Sequence, residues 1–163
     1  MKILYFGGQK SGKSTLAESK ALEISKLKPF YIATYDRSFD DKEMKTRVLK
    51  HQKQREENFI TIEEPKDFIT KMQDGNTYLV DCISMWILNS IKSSEEELLE
   101  YLKKLNDVDA NIIFVLNDVN SGVIPFDKES RKFVDLTGIV GQKLAAICDE
   151  VYEVKLGLTN RLK

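Results

Sequence analysis

The chain has 163 residues, with 25 Lys and Arg against 26 Asp and Glu, and a formal net charge of −1. That length suits a single α/β domain over residues 1–163, which removes about two-thirds of its unfolded surface from water. A charge so near zero gives no global field for nucleic acid or an anionic membrane, so we expect neither as a partner. No leader segment and no membrane-spanning run is visible, which favours a cytoplasmic location without a membrane span.

A glycine-rich motif follows the first predicted strand. Residues 7–14 match G-x-x-x-x-G-K-[ST] directly after the apolar run 3–6. Glycines let such a loop close so that its backbone N–H groups surround phosphates, while Lys13 supplies charge and Ser14 offers a hydroxyl to Mg²⁺. A chance match is the alternative, but the strand–loop–helix context favours a nucleotide site. Its residues are Gly7, Gly8, Gln9, Lys10, Ser11, Gly12, Lys13 and Ser14.

Short apolar segments alternate with helix-forming stretches along the rest of the chain. The predicted strands are Lys2–Phe6, Phe30–Ala33, Ile60–Ile62, Thr77–Val80, Asn111–Leu116 and Glu150–Lys155. The predicted helices include Thr15 to Leu27, a helix starting near Ser94, and one from about Glu129 to Ala146. With the phosphate motif, this order predicts a P-loop NTPase-type (RecA-like) three-layer α/β fold with a mostly parallel central sheet.

Two predicted strands end in polar residues at the edge where ligands bind in such folds. Asp81 follows the strand 77–80, and its carboxylate can hold Mg²⁺ beside the hydroxyl of Ser14. The alternative is that Asp81 caps the helix starting near Ile83. The strand 30–33 runs into three further candidates for nucleotide contact, Thr34, Tyr35 and Asp36. Cys82 and Cys148 lack metal-type spacing, so we expect small buried hydrophobic side chains there.

Residues 40–55 lack helix breakers and begin with acidic residues, which predicts a helix. Its second half is rich in Lys and Arg and holds the only histidine, His51. Arg47, His51 and Arg55 recur every four residues, so they form a ridge with about 6 Å of rise per step. The guanidinium groups disfavour the imidazolium form and can hold phosphate oxygens near the ring. A solvated basic helix with an incidental histidine is the alternative.

These segments together resemble the bifunctional adenosylcobinamide kinase/adenosylcobinamide-phosphate guanylyltransferase family. The resemblance runs nearly end to end, and its most specific motifs are the Arg-x-x-x-His-x-x-x-Arg block at 47–55 and the Gly-Val-Ile-Pro loop at 122–125. The chain differs from the usual family pattern at three places. Phe59 stands where tryptophan is common, Asp118 where glutamate is usual, and Gly141 where asparagine is usual.

The resemblance implies two reactions on one corrinoid substrate, adenosylcobinamide. ATP or GTP first phosphorylates its aminopropanol hydroxyl; His51 then takes GMP from GTP as a covalent intermediate and passes it on, which gives adenosylcobinamide-GDP. Lys13 and His51 would be catalytic, and Mg²⁺ would accompany the nucleotide. The implied guanine-nucleotide contacts are Arg47, Gln52, Lys53, Gln54, Arg55, Glu63 and Asp81.

The resemblance also implies a homotrimer.

Two other functions stay open at this point. The first is a P-loop kinase for another small alcohol, in which His51 merely binds phosphate. The second is a GTP-binding regulatory module without small-molecule chemistry.

Overall fold

The structure is a computed structural model that describes residues 1–36 and 57–163. Its strands are β1 (Lys2–Gly7), β2 (Phe30–Ala33), β3 (Ile60–Glu63), β4 (Thr77–Asp81), β5 (Asn111–Asn117), β6 (Glu150–Lys155) and β7 (Leu158–Arg161). Its α-helices are α1 (Lys13–Ile24), α2 (Ile83–Asn89), α3 (Glu95–Lys103) and α4 (Lys128–Ile147). Short 3₁₀ helices cover Phe68–Lys71 and Lys104–Asp107. The helix predicted over residues 40–55 lies outside the described residues.

The seven described strands form one sheet in the order β3-β2-β4-β5-β1-β6-β7. All neighbouring pairs are parallel except β6 and β7, which form an antiparallel hairpin. The predicted mostly parallel sheet is therefore confirmed, and each of its six predicted strands agrees with the structure to within one residue. Strand β7 was not predicted.

Helices cover both faces of this sheet, as its apolar strands require. Successive residues of β1 point to opposite faces, so Ile3 packs with Ala17 of α1 in one core, while Leu4 packs in a second core with Trp86 of α2 and Leu144 of α4. The fold is the predicted three-layer arrangement. Of the helices in the described part of the chain, none combines the length and the apolar character needed to cross a membrane.

Side-chain hydrogen bonds to backbone N–H groups mark where α3 and α4 begin. Ser94 accepts a hydrogen bond from the backbone N–H of Glu97, whose carboxylate accepts one from the N–H of Ser94, which forms a capping box at the start of α3. Asp127 caps α4 in a similar way by accepting from the N–H of Ser130. Helix α1 ends at Ile24, three residues before the predicted end at Leu27.

Candidate nucleotide-binding site

The glycine-rich motif forms a tight loop between β1 and α1, as predicted. The N–H of Ser11 donates to the carbonyl of Gly8 at 3.2 Å and closes the turn. Gly12 adopts φ +97°, a left-handed conformation that L side chains rarely take, and α1 begins directly after it. The loop therefore ends at a helix N-terminus, whose free N–H groups and dipole favour bound anions.

The neighbouring strands and the C-terminal hairpin hold this loop from behind. A Cβ on Gly7 would lie 2.3 Å from the backbone oxygen of Val154 in β6, so only glycine fits this close approach. The N–H of Gly157, in the turn between β6 and β7, donates to the carbonyl of Ser11 at 2.8 Å. On the other side, the N–H of Asp118 donates to the carbonyl of Gly7 at 2.9 Å. These backbone contacts fix the loop in shape before any ligand arrives.

Lys13 is the cation at the centre of the site. Its side chain is buried, with 6% of the residue exposed, and Nζ donates to the carbonyl of Gly8 at 3.1 Å. Burial lowers the pKa of Lys13 from its ordinary value, while electrostatic interactions with Cys82 and with the carboxylate of Asp81 oppose that shift. A partly desolvated ammonium that already faces the loop can bind phosphate oxygens with little loss of side-chain freedom.

Asp81 ends strand β4 at the same edge of the sheet. Its Oδ2 accepts a hydrogen bond from the hydroxyl of Tyr31 at 2.9 Å, which orients the carboxylate. The residue that caps α2 is Cys82, and Asp81 itself belongs to the strand, so the alternative in which Asp81 caps the helix is wrong. Its carboxylate raises the pKa of Lys13, against the larger opposing effect of burial.

Thr34 ties the ends of β2 and β4 together. Its buried hydroxyl donates to the carbonyl of Cys82 at 2.7 Å and accepts from the N–H of Cys82 at 3.0 Å. The amide of Asn89 in α2 donates to the carbonyls of Thr34, at 2.7 Å, and Pro65, at 2.9 Å. The Thr34 hydroxyl thus positions the backbone that carries Asp81, which is a structural contribution to the site.

The remaining predicted residues lie farther along the edge or outside the described part of the chain. Tyr35 and Asp36 continue from β2 and are half-buried, whereas Glu63 ends the edge strand β3 and is exposed. Strand β3 lies four strand spacings from β1, or about 19 Å, so the loop and Glu63 could contact one ligand only if it extends along the edge. Six predicted residues fall outside the described residues: Arg47, His51, Gln52, Lys53, Gln54 and Arg55.

The oxygen donors at this edge suit Mg²⁺. Ser14, in the first turn of α1, offers a hydroxyl, and Asp81 offers a carboxylate, which are the hard ligands that Mg²⁺ prefers. Within residues 1–36 and 57–163, no group of three or more His, Cys, Asp and Glu side chains could hold a metal ion. An ion here would therefore take only part of its coordination shell from those residues, as is usual for Mg²⁺ bound with nucleotide phosphates.

Two contributors to the site were missed by the sequence reasoning. Tyr31 lies 50 residues from Asp81 along the chain, and Gly157 lies in the turn before the unpredicted strand β7. A Gly between two short polar-apolar segments near the C-terminus was the available signal for that hairpin. Nothing local to Tyr31 marks it as a partner of Asp81.

Comparisons with solved structures identify the same fold. The chain is similar to the flagellar accessory protein FlaH from Methanocaldococcus jannaschii, with a TM-score of 0.54 and 16% identity over 99% of this chain and 77% of that one. It is also similar to an ATPase from a bacterial type III secretion system, with a TM-score of 0.54 and 12% identity over 98% of this chain and 56% of that one. At such identities the likeness shows the fold alone, and it confirms the predicted RecA-like class.

Sequence comparisons are more specific. The chain is 34% identical to the bifunctional adenosylcobalamin biosynthesis protein CobP of Pseudomonas aeruginosa, over 100% of this chain and 98% of that protein. It is 28% identical to the bifunctional adenosylcobalamin biosynthesis protein CobU of Escherichia coli, over the full length of both. The family model described as "Cobinamide kinase / cobinamide phosphate guanyltransferase" matches residues 3–162. The resemblance found in the sequence is thereby confirmed, and the chain is an enzyme that belongs to the cobinamide kinase / cobinamide phosphate guanyltransferase family.

Proposed function

We propose that this protein phosphorylates adenosylcobinamide with ATP or GTP and then transfers GMP from GTP to the product through a guanylyl-histidine at His51. The final product is adenosylcobinamide-GDP. Family membership supports both activities, and the buried Lys13 on the phosphate loop, within the field of Asp81, is the structural observation that carries the proposal. The chain acts as a single catalytic domain over residues 1–163, and it assembles as a homotrimer in the cytoplasm.

In the kinase step, the aminopropanol hydroxyl of the substrate attacks the γ-phosphorus of the nucleotide. A new P–O bond forms, the bond to the β-phosphate oxygen breaks, the nucleoside diphosphate leaves, and the hydroxyl proton passes to water. Lys13 and the loop N–H groups hold the phosphates and balance the charge that spreads over the transferring group. Ser14 and Asp81 would hold Mg²⁺, which when bound adds positive charge beside the same oxygens.

In the second reaction, a neutral nitrogen of His51 attacks the α-phosphorus of GTP and pyrophosphate leaves. A phosphate oxygen of adenosylcobinamide phosphate then attacks the same phosphorus, the N–P bond breaks, and the imidazole is restored. Dividing the displacement in this way splits a difficult exchange between two anions into two easier steps. Arg47 and Arg55, at four residues on either side of His51, balance the phosphate charge in each step.

The strands on either side of residues 37–56 support a nucleotide site that extends along this edge of the sheet. Strand β2 ends beside Thr34 and Asp36, and the parallel strand β3 ends at Glu63 on the same edge. Strand β3 lies about 19 Å from β1, so a GTP that contacts both would extend along the edge with its α-phosphate between them. In this arrangement Glu63 accepts hydrogen bonds from the guanine edge.

Two labelled forms of GTP test the proposal. With GTP labelled at the γ-phosphate, the wild-type protein should transfer label to adenosylcobinamide. With GTP labelled at the α-phosphate, it should form a protein adduct that is acid-labile and alkali-stable, because a phosphoramidate has that stability. His51→Ala should lose the adduct and keep the kinase reaction, and Lys13→Ala should lose the kinase reaction.

The outcomes separate the alternatives. Phosphate transfer to a different small alcohol, with none to adenosylcobinamide, would replace the proposed substrate. Nucleotide-dependent binding of a partner protein without any transfer would indicate a regulatory module. Sedimentation of the purified protein at the mass of a monomer would contradict the homotrimer.

A further inference from the structure

A cavity of about 430 Å³ lies between α4 and the carboxyl ends of β1, β5 and β6. Apolar side chains form its floor, among them Leu4, Phe6, Leu116 and Val151. Ligand pockets in proteins commonly have volumes of about 300 to 1,000 Å³ with apolar walls and a few polar groups, and this cavity falls in that range. Of the residues that the structure describes, none of those assigned above to phosphate, Mg²⁺ or guanine binding lines it.

The cavity adjoins the phosphate loop. Its lining includes Asn117 and Asp118 at the end of β5, and the N–H of Asp118 donates to the carbonyl of Gly7 at 2.9 Å. Gly7 is also paired with Asn117 in the register of β1 and β5. A molecule in the cavity would therefore lie beside the end of β1 that carries the phosphate loop.

Two glycines on α4 keep the cavity open. Gly138 and Gly141 lie one turn apart and both line the cavity. A Cβ on Gly138 would lie 3.1 Å from the amide nitrogen of Asn120, and one on Gly141 would lie 3.2 Å from a methyl group of Leu116. Glycine inside a helix costs about 1 kcal/mol relative to alanine. The two glycines therefore lower the stability of α4 and in return leave the cavity free of side-chain atoms at these positions.

The charge of the lining disfavours an anion. Its charged side chains are the carboxylates of Asp118 and Glu153, and no Lys, Arg or His is among the described residues that line the cavity. Lys163 lies behind the lining, where its Nζ donates to the carbonyl of Ala145 at 3.1 Å. Amide and hydroxyl groups from Asn120, Ser121 and Gln142 complete the polar part. This combination repels phosphate and suits a neutral or cationic ligand that carries amides and apolar groups.

The loop that forms one side of the cavity also carries exposed apolar side chains. Asn120 and Ser121 belong to the connection between β5 and α4, and further along it Val123, Ile124 and Phe126 are 88%, 77% and 97% exposed. Arg131 donates to the carbonyl of Pro125 at 3.0 Å and ties this loop to α4. Exposed apolar side chains thus follow Ser121 within five residues along the chain, and a ligand larger than the cavity itself would have them within reach.

We propose that this cavity and the adjoining loop bind the amide-bearing edge of the corrin ring of the substrate, and so place its aminopropanol arm over the phosphate loop. The inference rests on the proposed function, which supplies the substrate. A corrin ring carries methyl groups and carboxamide arms around its rim, and the alkyl-cobalt(III) corrin has a net positive charge. These properties match the apolar floor, the amide groups and the two carboxylates of the cavity.

A matched pair of substitutions on α4 tests the assignment. Ala145 lines the cavity, whereas its neighbour Ala146 is exposed and does not. Ala145→Phe should fill much of the cavity and raise both the Kd for adenosylcobinamide and its KM in the kinase reaction by about tenfold or more, since burial of a few apolar groups is worth that much. Ala146→Phe should change neither value by more than about twofold. Labelling of the protein by GTP labelled at the α-phosphate should be unchanged in both variants, because that reaction does not involve the corrinoid.

A charge-reversal variant tests the same assignment if Ala145→Phe does not fold. Glu153→Lys reverses a charge in the lining and should raise the KM for adenosylcobinamide, while Asp135→Lys, an exposed change on α4, should leave it unchanged. Folded variants with the wild-type KM would overturn the corrinoid assignment while the proposed reactions stand. A wild-type protein without any transfer to adenosylcobinamide would instead overturn the proposed function itself.

Discussion

The contact between the phosphate loop and strand β6 gives a sharp prediction for Gly7→Ala. The new Cβ would lie 2.3 Å from the backbone oxygen of Val154, whereas ordinary contact begins near 3.4 Å. The end of β1 and the end of β6 must therefore separate by about 1.1 Å, and neither is a flexible side chain that can move aside. Overpacking of this kind costs about 1 to 3 kcal/mol.

Gly8→Ala is the matched control, because a Cβ on Gly8 meets nothing within 4 Å. For a protein of this length, 1 kcal/mol corresponds to a Tm change of about 2 to 4 °C. We expect Gly7→Ala to lower the Tm by about 2 to 12 °C and Gly8→Ala to change it by less than about 2 °C. Thermal unfolding of the ligand-free proteins, followed by circular dichroism, measures both. Equal Tm values for the two variants would refute the close approach of β6 to the loop.

Three further predictions follow from the same site. Thr34→Val removes the hydroxyl that bonds both backbone groups of Cys82 and should lower the free energy of unfolding by about 2 to 4 kcal/mol in urea denaturation. Thr34→Ser keeps a hydroxyl and should therefore retain most of the wild-type stability. Burial lowers the pKa of Lys13, so its ammonium loses its charge at a pH below 10.5, the ordinary value for lysine. The affinity for ATP, measured by calorimetry, should therefore fall as the pH rises toward 10.5, and Lys13→Arg should remove this fall because arginine stays charged. A pH-independent affinity in the wild-type protein would contradict this prediction. Desolvation raises the pKa of both Cys82 and Cys148 to about 12, but only Cys148 is fully buried, whereas Cys82 is half-buried. Cys148 should therefore not react with a disulfide reagent at pH 8 in the native protein and should react after unfolding; rapid native labelling of Cys148 would contradict its burial.

The sequence predicted the parallel sheet well because its strands are short apolar runs with clear polar ends. Strand β7 differs, since Leu158–Arg161 is exposed along its whole length and carries no buried pattern from which a strand could be inferred. It exists because the turn at Leu156 and Gly157, both with positive φ, folds it back onto β6. A leucine in a left-handed conformation is not a standard hairpin signal.

The candidate site also has one part that the sequence predicted and one that it did not. The phosphate loop was predictable because all its parts are contiguous, from Gly7 to Ser14. The network that holds Asp81 depends on contacts between residues about 50 positions apart, from Tyr31 and from Thr34 through Cys82. Such contacts follow from the order of strands in the sheet, which places β2 beside β4, and no local motif records them.

The proposed guanylyl transfer requires that His51 accepts GMP from a GTP whose phosphates lie on the glycine-rich loop. Mass spectrometry of peptides from the protein incubated with GTP and Mg²⁺, without corrinoid, measures this most directly. We expect one guanylyl group on the peptide that contains His51, and its loss when adenosylcobinamide phosphate is added. A guanylyl group on another residue, or none on any peptide under conditions where GTP is bound, would contradict it.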